Sequence, residues 1–181
     1  MSIAGRPKIL VMGDPAVGKS AITKMFHSGG QTFLKAYNMT CGAEFCKKEV
    51  AVAGTNDTVE LHIFDTAGQD VFAEMMPSFW EGARGVILVY DVTRRHTVDA
   101  CLEWYSRLLQ TLQVPHIPGV VVANKTDLRE RLVVSRQQGQ QMAGSLNMQY
   151  FETSALEGTS VDEPFVAIGK LIHEQEHGDG P

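Results

Sequence analysis

The sequence predicts an α/β fold: a doubly wound, mostly parallel sheet with helices on both faces. Three observations carry this. Short apolar runs alternate with segments of helical period along the chain. Two of the runs, 85–90 (GVILVY) and 119–123 (GVVVA), are apolar without interruption, as strands covered on both faces require. A glycine-bearing loop, 13–20 (GDPAVGKS), separates the first strand pattern from the first helical one.

Residues 8–12 (KILVM) are short and rich in β-formers. Residues 19–27 read as a helix, with Ala21, Ile22, Met25 and Phe26 at helical spacing. Strand patterns at 45–52 and 58–64 flank a hairpin turn at 54–57 (GTND). Segments 97–113 and 135–146 have helical patterns and lie between strands. A short last strand at 150–153 precedes a last helix at 160–176, where Pro164 is tolerated only near the first turn. Ligands of such sheets bind beyond the carboxyl ends of the strands, so the chemistry belongs in the loops that follow them.

The chain of 181 residues suits a single domain, 1–181, with 177–181 a short end. It is 44% hydrophobic and 20% charged, enough to bury a sizeable core. Its net charge of −5 disfavours a general binder of nucleic acid or anionic membrane, so any anion site is local. Cys41, Cys46 and Cys101 lack metal-ligand spacing, and their odd number fits a reducing, cytoplasmic setting. No signal peptide, transmembrane run or lipidation pattern is evident at either end, so no direct lipid anchor is expected.

GDPAVGKS fills the eight-position phosphate-loop pattern in the strand-to-helix context the motif needs. Gly13 and Gly18 allow close backbone approach, and the helix start adds N–H donors. Lys19 is a point charge for β- and γ-phosphates, and Ser20 offers a hydroxyl to Mg²⁺. Pro15 has no N–H, so the donors come from Ala16, Val17, Gly18, Lys19 and Ser20, with Asp14 and Ala21 completing the nucleotide-binding stretch. Its ring falls on the γ-phosphate side, where it either leaves room for an attacking water or crowds it.

LHIFDTAGQ (61–69) ends a strand on Asp65, suited to hold Mg²⁺. Gly68 lets a backbone N–H meet a γ-phosphate, and Gln69 can orient the attacking water. Read alone, this pattern is equally a turn; its place downstream of a phosphate loop gives it force. Asn124-Lys125-Thr126-Asp127 follows an apolar strand. The Asp127 carboxylate can accept two hydrogen bonds from a guanine edge, a pattern adenine does not present. The Lys125 stem can cover the base, and Asn124 can tie loops together. After the last strand, Ser154 and Ala155 of TSA follow, with the Ala155 N–H available to guanine O6.

The ordered set GDPAVGKS, Thr40, DTAGQ, NKTD and TSA resembles a Ras-superfamily small GTPase, and 79–93 (FWEGARGVILVYDVT) is similar to the Rab branch. The likeness runs from about Lys8 to Glu176. It implies a P-loop NTPase small G domain with a six-stranded, mostly parallel sheet, one antiparallel hairpin strand and five helices. It also implies GTP and GDP as substrate and product, Mg²⁺ as cofactor, and catalysis through Gln69, Lys19 and Thr40. Thr40 matches the threonine that binds Mg²⁺ beside Ser20 and Asp65. Phe33 matches the aromatic residue packed edge-on to guanine, although plain core packing would also explain it.

The chain departs from the Rab pattern at Pro15-Ala16, at Asp70-Val71 after Gln69, and in the absence of a C-terminal prenylation cysteine. Taken together, the 14–19 loop (DPAVGK), 38–45 (NMTCGAEF), 61–68 (LHIFDTAG), Phe79-Trp80-Glu81 and the short C-terminal end look most like the Rab-like GTPase subunit of the intraflagellar transport complex. That resemblance implies cilia or flagella and protein partners among the transport subunits, an obligate heterodimer being one arrangement. Phe72, Met75 and Met76 are candidates for a contact surface. Phe79 and Trp80 read more simply as filling the groove between a helix and the sheet. Two uses of the site stay open: a GTP-hydrolysing switch, in membrane traffic or in cilia, and an assembly subunit whose turnover is incidental. A phosphate-loop ATPase or small-molecule kinase does not fit NKTD and TSA.

Overall fold

The computed structural model describes residues 2–31, 40–68 and 76–177. Its elements are β1 (Ser2–Gly5), β2 (Lys8–Met12), α1 (Lys19–His27), β3 (Ala43–Ala51), β4 (Asp57–Thr66), α2 (Met76–Trp80), β5 (Ala83–Asp91), α3 (His96–Leu112), β6 (Gly119–Asn124), α4 (Arg136–Ser145), β7 (Gln149–Glu152) and α5 (Glu163–His177). They form one sheet in the order β1-β4-β2-β5-β6-β7, parallel throughout, with β3 running antiparallel to β4.

The sequence-based expectation was six strands, and β1 makes a seventh. Its register explains the difference. Ser2 to Gly5 pair with the start of β4 at Asp57 to Val59, and Lys8 to Val11 pair with His62 to Asp65 farther along the same edge. β1 and β2 are therefore one strand path beside β4, interrupted at Arg6-Pro7, where Pro7 has no N–H to give the ladder. The Pro7 carbonyl still accepts from His62 N–H at 3.0 Å. The six-stranded plan holds, with its first strand broken in two.

β2, β5 and β6 are buried almost throughout, as their unbroken apolar runs require. Alternate residues feed two cores. Leu10, Met12, Leu88 and Tyr90 face α2, α3 and α4, meeting Trp80, Trp104 and Met142. Ile9, Val11, Ile87 and Val89 face α1 and α5, meeting Ile22, Phe26, Phe165 and Ile168. Phe26 and Phe165 stack with ring centroids 4.0 Å apart and planes 3° from parallel, which locks α1 to α5. With both faces covered, a ligand site falls to the loops at the sheet's ends, and in such sheets to those at the carboxyl ends, here of β2, β4, β5, β6 and β7.

Trp80 is 3% exposed and Phe79 is half-buried against the same core, so both fill the groove as expected. Met76 is buried there too, which removes its side chain from the candidate contact surface; Phe72 and Met75 lie outside the described residues. No helix among the described residues is long and apolar enough to cross a membrane.

Candidate functional site

The Gly13–Ser20 loop leaves β2 at Met12 and enters α1 at Lys19, with Gly18 as the N-cap in the left-handed region (φ 103°). A side chain at 18 would strike the Asn124 amide, so glycine is required there by conformation and by space. The carbonyls from Gly13 to Gly18 all have donors. Lys19 Nζ donates to Gly13 O at 2.7 Å and Asp14 O at 2.8 Å. Arg94 Nη2 donates to Pro15 O at 2.9 Å, Lys125 Nζ to Ala16 O at 2.7 Å, and Asn124 Nδ2 to Val17 O at 2.8 Å. The Gly18 carbonyl accepts from Ile22 N–H within α1 at 3.0 Å. With the Pro15, Ala16 and Val17 carbonyls held by donors from other loops, the N–H groups that follow them are turned the opposite way and are available to an anion. The Asp14 carboxylate is also turned away from the loop, accepting from Trp104 Nε1 at 3.2 Å with His96 Nε2 4.0 Å away.

Ser20, Thr40 and Asp65 come together although they are distant in sequence. Ser20 Oγ lies 3.1 Å from Thr40 Oγ1 and donates to Asp65 Oδ2. Asp65 is 1% exposed, and its other oxygen, Oδ1, is buried without a hydrogen-bond partner. An unpartnered buried carboxylate oxygen beside two hydroxyls is an all-oxygen donor set of the kind a hard cation such as Mg²⁺ takes. Burial pushes the Asp65 carboxyl up to about 6, against the Ser20 hydrogen bond and the Lys19 charge. Burial likewise lowers the Lys19 ammonium to about 8, against attraction from Asp65 and Asp14. Gly68 closes this side. A Cβ there would lie 2.5 Å from Gly13 O and 2.6 Å from Lys19 Nζ, so the loop after β4 packs directly on the phosphate loop.

The loops after β6 and β7 meet on the other side. Ser154 Oγ donates to Asp127 Oδ1 at 2.6 Å, and Thr126 N–H and Oγ1 both donate to Thr153 O, at 3.2 and 3.0 Å. Asn124 accepts from Thr153 Oγ1 at 3.1 Å while it donates to the phosphate loop, the tie between loops that its position suggests. Lys125 takes the left-handed conformation (φ 68°), and Ala155 is buried just beyond Ser154.

Of the sequence-predicted residues, Gly13, Asp14, Ala16, Val17, Gly18, Lys19, Ser20, Ala21, Thr40, Asp65, Gly68, Asn124, Lys125, Asp127, Ser154 and Ala155 lie in these loops or on the ends of the elements that carry them. Phe33 and Gln69 lie outside the described residues. Sequence reasoning missed Asp91, Arg94 and Trp104. Asp91 is 1% exposed and holds Lys125 Nζ at 2.7 Å and Arg94 Nε at 3.0 Å. Burial raises its carboxyl, but the hydrogen bonds from Lys125 and Thr93 outweigh this and hold it below the usual range. The one available signal was an acidic residue ending the apolar run 85–90, at the sheet edge where ligands bind.

The Ras family model matches residues 8–174. The chain is 40% identical to the intraflagellar transport protein 27 homolog of Mus musculus over 167 residues, covering 92% of this chain and 90% of that protein. It is 38% identical to intraflagellar transport protein 27 of Chlamydomonas reinhardtii over 172 residues, 93% of this chain and 84% of that protein. It is 33% identical to the GTP-binding protein ypt1 of Schizosaccharomyces pombe over 168 residues, 93% of this chain and 80% of that protein.

Proposed function

The chain belongs to the Ras family of small GTPases, and from that premise we propose that it works as a slow GTPase within the intraflagellar transport machinery of cilia or flagella. The similarity to intraflagellar transport proteins over nearly the whole chain carries this reading. Its partners are transport subunits, and its place is the cytoplasm, the cilium and the ciliary base.

In this reading the N–H groups from Ala16 to Ser20 bind the phosphates, and Lys19 carries charge to the β- and γ-phosphates. Ser20, Thr40 and Asp65 hold Mg²⁺, which neutralises phosphate charge when bound. Asp127, oriented by Ser154, accepts from the guanine edge. Lys125 covers the base, Ala155 N–H meets O6, and Phe33 packs against the ring edge. Gln69 orients the attacking water, and Thr40 and Gly68 N–H groups contact the γ-phosphate. Unaided turnover in this class is on the order of 10⁻⁴ per second. Single-turnover phosphate release with Mg²⁺ tests the enzymatic part: Gln69→Leu abolishes it, and an unchanged rate removes Gln69 from the mechanism.

We weigh a second use of the same site, an assembly subunit whose turnover is incidental, because Pro15 removes one N–H from the phosphate loop and puts a rigid ring on the side expected to face the γ-phosphate. Capture from ciliated cells with Gln69→Leu and Ser20→Asn forms separates the two. Transport subunits retained by only one form indicate a switch, equal retention indicates an assembly subunit, and no transport subunit with either form overturns the ciliary assignment.

A further inference from the structure

The turn after β5 reaches the phosphate loop from outside the family's motif positions. Asp91, at the end of β5, is a buried carboxylate with four donors. Its Oδ1 accepts from Thr93 N–H at 2.9 Å and Thr93 Oγ1 at 2.7 Å; its Oδ2 accepts from Arg94 Nε at 3.0 Å and Lys125 Nζ at 2.7 Å. Arg94 is fixed further, because its carbonyl accepts from Thr97 Oγ1 at 2.7 Å and Thr97 is wholly buried at the start of α3. The two cations held by Asp91 then use their remaining donors on successive loop carbonyls, Arg94 on Pro15 O and Lys125 on Ala16 O.

The consequence follows from peptide planarity. In a trans peptide the C=O and the next N–H point to opposite sides, and no cis bond occurs among the described residues. Holding the Pro15 carbonyl outward aims the Ala16 N–H inward, and that is the first N–H of the loop after the proline. Ala16 needs such support, because it is a non-glycine residue in the left-handed region (φ 60°), a conformation that costs energy for a residue with a Cβ. Pro15 itself gives up one donor, so the peptide that follows it matters more than in a loop with every N–H intact.

We propose that Arg94, fixed by Asp91, is a positioning residue that sets the Pro15-Ala16 peptide and so presents the Ala16 N–H to the phosphates of the bound nucleotide. The proposal rests on the nucleotide reading of the loop. A guanidinium is required, since its fork lets one group bridge a carboxylate through Nε and a carbonyl through Nη2, which a single ammonium at the same place does not reproduce.

The test compares Arg94→Ala and Arg94→Lys with the wild type, and with Arg84→Ala as a control, because Arg84 pairs with Glu176 on the surface at 3.0 Å. Release of methylanthraniloyl-GDP in the presence of Mg²⁺ is followed by stopped flow, and the ³¹P resonances of bound GDP are recorded. Arg94→Ala speeds release about tenfold, the effect of losing one hydrogen bond from a charged donor. It also moves the β-phosphorus resonance, which a general loss of stability would leave in place. Arg94→Lys falls between, and Arg84→Ala matches the wild type. Release within twofold of wild type in Arg94→Ala, an unmoved β-phosphorus resonance, or an equal effect of Arg84→Ala overturns the proposal. Wild-type protein that fails to bind the GDP probe overturns the nucleotide reading as well, whereas tight wild-type binding with unaffected variants overturns only the role of Arg94.

Discussion

At the scale of single residues, Asp127 has one oxygen committed to Ser154 Oγ at 2.6 Å, which fixes the carboxylate without neutralising it. Exchanging it for an amide replaces an acceptor with a donor facing the guanine edge. Asp127→Asn therefore weakens GDP by about 100-fold or more, the lower end of the scale for two hydrogen bonds to a charged group, and shifts preference toward xanthine nucleotides; competition binding measures both. Asp65 adds a pH dependence. Its carboxyl is raised to about 6 by burial, and only the ionised form serves a cation. Mg²⁺ affinity is full above that value and falls as the pH drops through it, so metal titrations between pH 5 and 7, a range set by that carboxyl, show weakening toward the acid side. A flat profile contradicts the assignment of Asp65 as a ligand. These roles were legible in sequence because each sits in a short motif after a strand. Arg94 and Trp104 were not: they act on Pro15 and Asp14 across 79 and 90 positions of chain, and no local pattern encodes such a contact.

At the scale of elements, α1 and α5 depend on each other through the Phe26–Phe165 stack. Phe165 is fully buried, so Phe165→Ala destabilises the GDP-bound protein by about 3–5 kcal/mol in denaturant unfolding. Because α1 begins at Lys19, that loss also loosens the start of the phosphate site. α4 begins differently, with Ser135 and Gln138 in a reciprocal capping box. Ser135→Ala costs about 1 kcal/mol in the same assay and leaves nucleotide release unchanged. Apolar runs and glycines set most of the element boundaries, so 8–12 and 19–27 agree with β2 and α1 to the residue. β1 escaped because four residues with Gly5 before Arg6-Pro7 have no period to read. α2 was expected only as the fifth helix the resemblance implies, without bounds, because five residues are fewer than two helical turns; its register comes from Met76 and Trp80 packing in the core.

At the scale of the whole molecule, every site loop hangs from the carboxyl edge of one sheet, so ligand and fold are linked. Nucleotide at a thousandfold excess over its dissociation constant adds about 4 kcal/mol. Stripping it with EDTA lowers the melting temperature, and adding back GDP with Mg²⁺ restores it; ATP with Mg²⁺ does not. The fold class was readable from the alternation of strand and helix, whereas the contacts among the loops form only once distant segments are brought together. Asn124 is the clearest case. Its amide hydrogen donates to the phosphate loop at Val17 and its amide oxygen accepts from Thr153, so one side chain spans three loops. Ordering any one loop thus prepays part of the entropy of ordering the others. Guanosine and pyrophosphate supplied as separate molecules would for that reason help each other bind, and the intact nucleotide gains from this mutual assistance in addition to the bond that joins its halves.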